Sequence, residues 1–232
     1  MHGDCLDVLR GIPDESINAV ITDPPYGISY QSCARKDKSK RLAKIANDEN
    51  PFIWWLYDAN RVLKEDGALI CFCRWDVQNA FKFAIEWAGF TIKSQVIWDK
   101  VLYGAGDLKS AFSPGHEVIW FAVKGKFSFP GKRPRSVITS QRINGGQLIH
   151  PNEKPVKLME QLIQSVTREK EIVLDPFIGS GATGIAAINT GRFFIGIEKE
   201  YKYVEISNSR LEQVYQEARV AKVGATDKGV AC

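Results

Sequence analysis

Four consecutive residues, Asp23-Pro24-Pro25-Tyr26, carry the most distinctive chemistry in the chain; they follow an apolar run, AVIT, and precede Gly27. Two prolines lock φ and remove two N–H donors, so the local carbonyls point outward in fixed positions. A carboxylate and a rigid carbonyl a few bonds apart accept both hydrogens of one –NH2 group, and the Tyr26 ring beside them is placed to stack on a planar base. Such a site suits an exocyclic amine conjugated to a ring, whose delocalised lone pair is a poor nucleophile. Holding both N–H bonds while the nitrogen moves toward tetrahedral geometry exposes that lone pair to an electrophile, and Asp23 stabilises the positive charge that develops. A bare DPP would read as an Asp-capped turn. The aromatic residue, the apolar run before it and a second motif elsewhere in the chain favour chemistry.

That second motif is IVLDPFIGSGATGIAA, in which a short apolar stretch ends at Asp175 and Gly179, Ser180 and Gly181 make a connection small enough for a ligand to approach the backbone. A helix beginning there presents free N–H groups to a carboxylate or phosphate. The next apolar stretch, FFIGIE, ends at Glu198, 19 residues after Gly179, the distance at which an acid binds ribose hydroxyls in nucleotide-binding sheets. Together these point to a nucleoside-containing cofactor. A nicotinamide dinucleotide fits less well: the fingerprint is only GSGATG after an extra Asp-Pro-Phe, and no dehydrogenase acid–base residue follows.

Elements that position these motifs alternate along the chain. Apolar runs predict strands at 19–23, 68–73, 95–98, 117–123, 172–175 and 193–198. Helical spacing and stop signals predict helices at 52–63 (with Gly67 closing the connection behind it), 77–88, 155–168 with Pro155 in the first turn, 181–189 and 201–218. Alternation of this kind predicts an α/β fold, a mixed, mostly parallel sheet covered by helices on both faces, with ligands in the crevice beyond the strand carboxyl ends. The length of 232 residues, with 44% apolar and 25% charged residues, predicts one large domain with its own core and excludes bulk disorder. Apolar runs reach six residues, against about 18 for a membrane span. No signal core marks the start, and five cysteines without CxxC spacing fit a reducing cytoplasm, with Cys71 and Cys73 as small hydrophobes. His2, His116 and His150 are scattered, without metal-ligand spacing. The tail, 220–232, is short of large apolar residues and is expected to fray.

Jointly, GDCLDVLRGIPDESINAVITDPPYGI, HPNEKPVKLMEQLI, DPFIGSGATGIAA and GRFFIGIEKEYKYVEISNSRL resemble the β-class amino-group DNA methyltransferases that use S-adenosylmethionine, with weaker similarity at WDK from Trp98 and HEVIWFAVKG from His116. The resemblance implies a circularly rearranged, Rossmann-like methyltransferase sheet with the Asp23 strand central and the Asp175 strand beside it. By position it implies that Asp23 and the Pro24 carbonyl, in a turn stiffened by Pro25, hold the target amine while Tyr26 stacks on the base. Asp175, Phe177, Gly179, Ser180 and Gly181 would line the cofactor site, Glu198 would take the ribose, and Asp4 and Cys5 would contact the cofactor's adenine. His150, Pro151, Lys154 and Pro155 would close over its methionine end, with Lys154 on the carboxylate; the sulfonium methyl would face Tyr26 and Phe177. Three residues depart from the family pattern: Ala182 and Asn152 stand where Thr is usual, and Ser113 where a basic residue often precedes His-Glu.

Within that family Asp at the first position of the turn goes with adenine N6 and Ser with cytosine N4, so Asp23 implies adenine, cytosine-N4 being the alternative; a catalytically silent DNA-binding or cofactor-sensing module is the rival of another class, and an RNA substrate shares the pocket chemistry. Carbon-5 methylation is disfavoured because the chain has no Pro-Cys pair. Net charge is modest, 31 basic against 27 acidic residues, but unevenly placed. A loop at 31–50 carries Arg35, Lys36, Lys38, Lys40, Arg41 and Lys44, and residues 118–152 hold no acid while including Lys132, Arg133, Arg135 and Arg142. These are the expected DNA contacts, the second within a short target-recognition region at about 124–149, with Phe127 and Phe129 as stacking or packing residues. The expected partner is duplex DNA with the base flipped out, inside a bacterial, archaeal or phage-infected cell; a homodimer is compatible, with Trp54, Trp55 and Tyr57 in the core or at a subunit interface, and no motif names a cognate restriction nuclease.

Overall fold

The computed structural model describes residues 1–27, 50–101, 109–143 and 153–226. Seven strands make one sheet: β1 (Ile17–Thr22), β2 (Leu63–Cys73), β3 (Thr91–Asp99), β4 (His116–Val123), β5 (Val137–Thr139), β6 (Ile172–Asp175) and β7 (Phe193–Gly196). Around it lie α1 (Cys5–Arg10), α2 (Leu56–Val62), α3 (Gln78–Trp87), α4 (Val156–Val166), α5 (Ala182–Asn189) and α6 (Tyr201–Thr226). The strand order is β5-β3-β4-β2-β1-β6-β7, and β4 alone runs against its neighbours.

Burial explains which runs became central strands. β1 is buried at every position except Asn18, β2 from Gly67 to Cys73 and β4 from Val118 to Val123, the continuous apolar pattern of strands covered on both faces. β3 and β7, nearer the edges, are mostly exposed or half-buried. The expected mixed α/β sheet is present.

Chain order then creates the crevice. From β1 the chain crosses through α2 to β2 on one side, whereas from β6 it crosses through α5 to β7 on the other. Right-handed crossovers in opposite directions put α2 and α5 on opposite faces. The gap opens where the connections diverge, at the carboxyl ends of β1 and β6. Both chemical motifs stand there, after Thr22 and after Leu174.

Differences from the sequence reading are local. β2 starts at Leu63, not at residue 68, because 64–67 form an irregularity between the pairs Ile17↔Leu63 and Ala19↔Ala68. Asp66 stabilises it by accepting from the Lys126 amide at 2.7 Å. α6 runs to Thr226, past the helix end expected at 218. Trp54, Trp55 and Tyr57 separate: Trp55 is fully buried and donates to the Phe52 carbonyl at 2.8 Å, while Trp54 and Tyr57 face outward.

Candidate active site

Immediately after β1, the Asp23-Pro24-Pro25-Tyr26 corner is held from both sides. The Pro25 carbonyl accepts from the Phe52 amide at 3.1 Å, whereas no described residue donates to the Pro24 carbonyl. Gly27 lets the chain turn away: its φ is 79°, and a Cβ there would lie 2.1 Å from the Asn50 carbonyl carbon, a backbone atom with nowhere to go. Tyr26 is buried, its ring edge-on to Phe81 with centroids 6.3 Å apart, and its hydroxyl donates to Asp23 Oδ1.

Asp23 belongs to a chain of charges drawn from four elements. Lys154, one residue before Pro155 and α4, places Nζ 2.5 Å from Asp23 Oδ2 and 3.2 Å from Glu117 Oε2, and Lys100 Nζ lies 2.6 Å from Glu117 Oε1. Sheet geometry explains the meeting. β4 is reversed, so its first residues, His116 and Glu117, lie at the carboxyl end of the other strands, opposite Asp99 and Trp98, with Lys100 next along. The side chains are 7% (Lys154), 14% (Asp23), 15% (Glu117) and 19% (Lys100) exposed, so the pairs are weakly screened. Burial pushes the Asp23 carboxyl up, partly opposed by the Lys154 ammonium. Burial also works against ionised Glu117, yet the ammoniums of Lys154 and Lys100 overcome it and hold that carboxyl low. Lys154, buried between two carboxylates, keeps its proton more tightly than an ordinary lysine.

Lys154, expected at a cofactor carboxylate, pairs here with Asp23 and Glu117, because a buried ammonium must take the nearest anions. Sequence reasoning placed no role on Glu117 or Lys100 and did not connect either of them to Asp23. Only the antiparallel pairing of β3 with β4 shows the connection.

Beside this corner stands the glycine turn. Asp175 is buried and accepts from Thr22 Oγ1 and Thr183 Oγ1, both at 2.6 Å, and from the Phe177 amide at 3.0 Å. It therefore braces β1, β6 and α5 together. The family-type departure at Ala182 leaves this brace intact, since the hydroxyl comes from Thr183. Burial pushes the Asp175 carboxyl up to about 6 against those hydrogen bonds. The folded state thus holds this proton more tightly than the unfolded chain, whose reference value is 3.8. Its contribution to stability is full below the unfolded value and lost as pH rises through the folded one, about 3 kcal/mol in all. Asp175→Asn cannot titrate, so its melting temperature relative to the native protein should rise between about pH 4 and pH 7. A constant offset in scanning calorimetry would contradict this.

Gly181 begins α5 with φ 94°, and no side chain caps the helix. Its first N–H groups are therefore left for a ligand. Phe177 packs edge-on to Phe52 and Trp55, with centroids 5.9 and 5.5 Å away. Glu198, two residues beyond β7, accepts from the Gly179 amide at 3.0 Å through Oε2 and from the Glu200 amide at 2.8 Å through Oε1. Residues 1–3 run beside it: the Gly3 amide donates to the Glu198 carbonyl at 2.9 Å. Asp4 and Cys5 are thereby carried to the same edge. Asp4 caps α1 through the Leu6 amide and pairs with Lys199 at 3.1 Å; Cys5 is buried, its thiol pushed up to about 12 by burial, and offers only an apolar surface. Ser180 is buried, and its carbonyl accepts from Arg210, which also pairs with Glu153 at 2.7 Å.

His150, Pro151, Arg35, Lys36, Lys38, Lys40 and Arg41 lie outside the described residues. Lys132, Arg133, Arg135 and Arg142 are exposed and have no acidic partner among the described residues. They do not share one loop. Phe127 and Phe129 pack on Phe121 at the far end of β4, with centroids 5.4 Å away in each case, which makes them packing residues. Lys132, Arg133 and Arg135 follow along the sheet edge, and β5 joins at Ile97↔Val137. Arg142 comes after β5, its amide on the Lys100 carbonyl, and so lies at the same end as Asp23.

No described helix is long and apolar enough to cross a membrane. YubD of Escherichia coli (strain K12), named as a methylase, is 33% identical over 219 residues, covering 92% of this chain and 90% of that protein. The type II methyltransferase M.HinfI of Haemophilus influenzae is 29% identical over 250 residues, covering 92% of this chain and 68% of that protein. Among solved structures, the complex of M1.HpyAVI with SAM superposes with a TM-score of 0.69 at 26% identity, covering 90% of this chain and 97% of that one. The family model described as DNA methylase, for N6 and N4 enzymes, matches residues 17–209, and the chain belongs to that family.

Proposed function

We propose that this DNA methyltransferase transfers the methyl group of S-adenosylmethionine to the N6 amine of an adenine flipped out of duplex DNA. The observation that carries the reading is the corner after β1: a half-buried carboxylate, a rigid Pro24 carbonyl with no donor among the described residues and a buried tyrosine ring, all beside the glycine turn.

The residues present fit S-adenosylmethionine, the ligand in the M1.HpyAVI complex. Glu198, fixed by two backbone amides, would take the ribose hydroxyls; the uncapped start of α5 and the turn at Gly179, Ser180 and Gly181 would allow close backbone approach; Cys5 and Asp4 would border the adenine. When bound, this cofactor supplies a methyl group on a sulfonium, a strong electrophile. Asp23 and the Pro24 carbonyl hold the two N–H bonds of the amine, turning its lone pair out of conjugation. As the nitrogen gains its fourth bond it becomes positive, and the Asp23 carboxylate offsets that charge until the surplus N–H proton passes to water. Tyr26 stacks on the base, recovering part of the few kcal/mol spent on unstacking. Arg142, at the same end of the sheet, supplies a phosphate contact, with Lys132, Arg133 and Arg135 adding to the grip; such contacts position the duplex without reading its sequence.

Asp as the first residue of the turn supports adenine. The test is methylation of DNA amplified with unmodified nucleotides, using labelled S-adenosylmethionine, followed by nucleoside digestion. Label in N6-methyladenine is expected. N4-methylcytosine would reassign the base, and no transfer to any DNA would favour a silent binding module.

A further inference from the structure

Both oxygens of Asp23 are already engaged: Tyr26 donates to Oδ1, and Lys154 sits on Oδ2 at 2.5 Å. An entering –NH2 therefore meets a donor already seated on each oxygen and must compete with Tyr26 and Lys154 for the directions that remain. The buried tyrosine has no second acceptor among the described hydrogen bonds, but Lys154 has one. Glu117 Oε2 is buried and held by an ion pair with Lys154 Nζ at 3.2 Å that is out of hydrogen-bond alignment; its other oxygen is satisfied by Lys100. A buried acceptor without an aligned donor is costly and rare. Here it lies within a short swing of the cation that blocks the site.

We propose that Lys154 is a placeholder for the target amine, which sits on Asp23 while the pocket is empty and passes to Glu117 when the base enters, making Glu117 a positioning residue for methyl transfer. The inference depends on the reading of Asp23 as the amine's acceptor. Charge is conserved in the exchange, with two carboxylates and two ammoniums before and after, and Lys154 keeps its proton throughout. The neutral amine takes the vacated Oδ2, and Glu117 Oε2 gains the aligned donor it lacks. The move also withdraws a fixed positive charge from the nitrogen that becomes positive during transfer. The Phe72 ring lies 5.1 Å from Nζ and attracts the cation where it stands.

The groups facing Asp23 are Tyr26 from the same turn, Lys154 ahead of α4, Glu117 on β4 with Lys100 behind it, Cys71 and Cys73 on β2 and Asp175 on β6. Burial keeps both thiols neutral, so Lys154 and Glu117 act on Asp23 with opposite signs. This separates a handover from simple structural support.

The experiment measures single-turnover transfer by the full chain, with saturating S-adenosylmethionine and amplified unmodified DNA, across pH. Glu117→Gln should lower the rate about tenfold with cofactor affinity unchanged, and should move the acid limb of the profile to lower pH, because Asp23 loses a like charge and keeps Lys154. Lys154→Met should move the acid limb to higher pH. In that background Glu117→Gln should change the rate by less than about twofold, since nothing remains to hand over. Effects that multiply, or acid limbs that move together, would overturn the placeholder. If Glu117→Gln does not fold, Lys154→Arg decides: the planar guanidinium keeps the charge but not the swing, so the rate should fall with the acid limb unmoved, and a native rate overturns the proposal. Asp23→Asn separates the two levels. Normal turnover by that variant defeats the amine reading itself, whereas a silent Asp23→Asn with multiplying Glu117 and Lys154 effects defeats only the placeholder.

Discussion

Asp23→Ala should lower methyl transfer by about a thousandfold while S-adenosylmethionine binds as before. The loss follows from what Asp23 does: it accepts one N–H of the amine and offsets the positive charge that grows on the nitrogen, so its effect falls on the rate of the chemical step. The cofactor turn is built from other residues, Asp175, Gly181 and Glu198, and the brace between Thr22 and Asp175 does not involve Asp23. Titration calorimetry with S-adenosylmethionine and a single-turnover transfer assay separate the two effects. Transfer at even a tenth of the native rate would remove Asp23 from the reaction. In the native enzyme the same carboxylate must be ionised to work. Burial raises it, so activity should be lost as pH falls through a value above the ordinary aspartate range, and the alkaline side should be unaffected by this group.

Glu198→Ala should weaken S-adenosylmethionine about a hundredfold, with transfer at saturating cofactor within a few-fold of native. Two charge-assisted hydrogen bonds to ribose hydroxyls are together worth about 3 kcal/mol, which is two decades in Kd. The side chain is well placed to provide them because the Gly179 and Glu200 amides fix its carboxylate at the end of β7. Its removal also leaves the Gly179 amide without an acceptor, so part of the loss reflects a looser turn. Glu198→Gln retains one oxygen for the Gly179 amide and should lose about tenfold. A Kd within twofold of native for both variants would take Glu198 out of the cofactor site.

These two carboxylates illustrate what was legible without coordinates. Asp23 stood out because DPPY is a stiff, local arrangement whose chemistry follows from adjacent residues, and Glu198 because its distance from Gly179 matches one strand–turn–helix–strand unit. Asp175 was also visible, but part of its work was not. In the fold its oxygens accept from Thr22, Thr183 and the Phe177 amide, and it joins three elements. Local spacing could not show this, because Thr22 lies 153 residues away in the chain.

The aromatic residues make the same distinction. Trp54 and Trp55 are neighbours of one type, yet one is exposed and the other fully buried. Phe127 and Phe129 lay in an acid-free basic stretch that suggested nucleic acid, and they pack on Phe121 at the opposite end of β4 from Glu117.

The sequence by itself determined the alternation of strands and helices, the two motif turns and the family, because each depends on residues near one another in the chain. The tertiary structure alone decided that Lys154 sits on Asp23, that Glu117 and Lys100 complete the charge chain, and that Glu117 keeps one oxygen without an aligned donor. The physical reason is the reversal of β4: one antiparallel strand among parallel ones carries its first residues to the end where the others finish, and buried charges pair with whatever the strand order brings within reach.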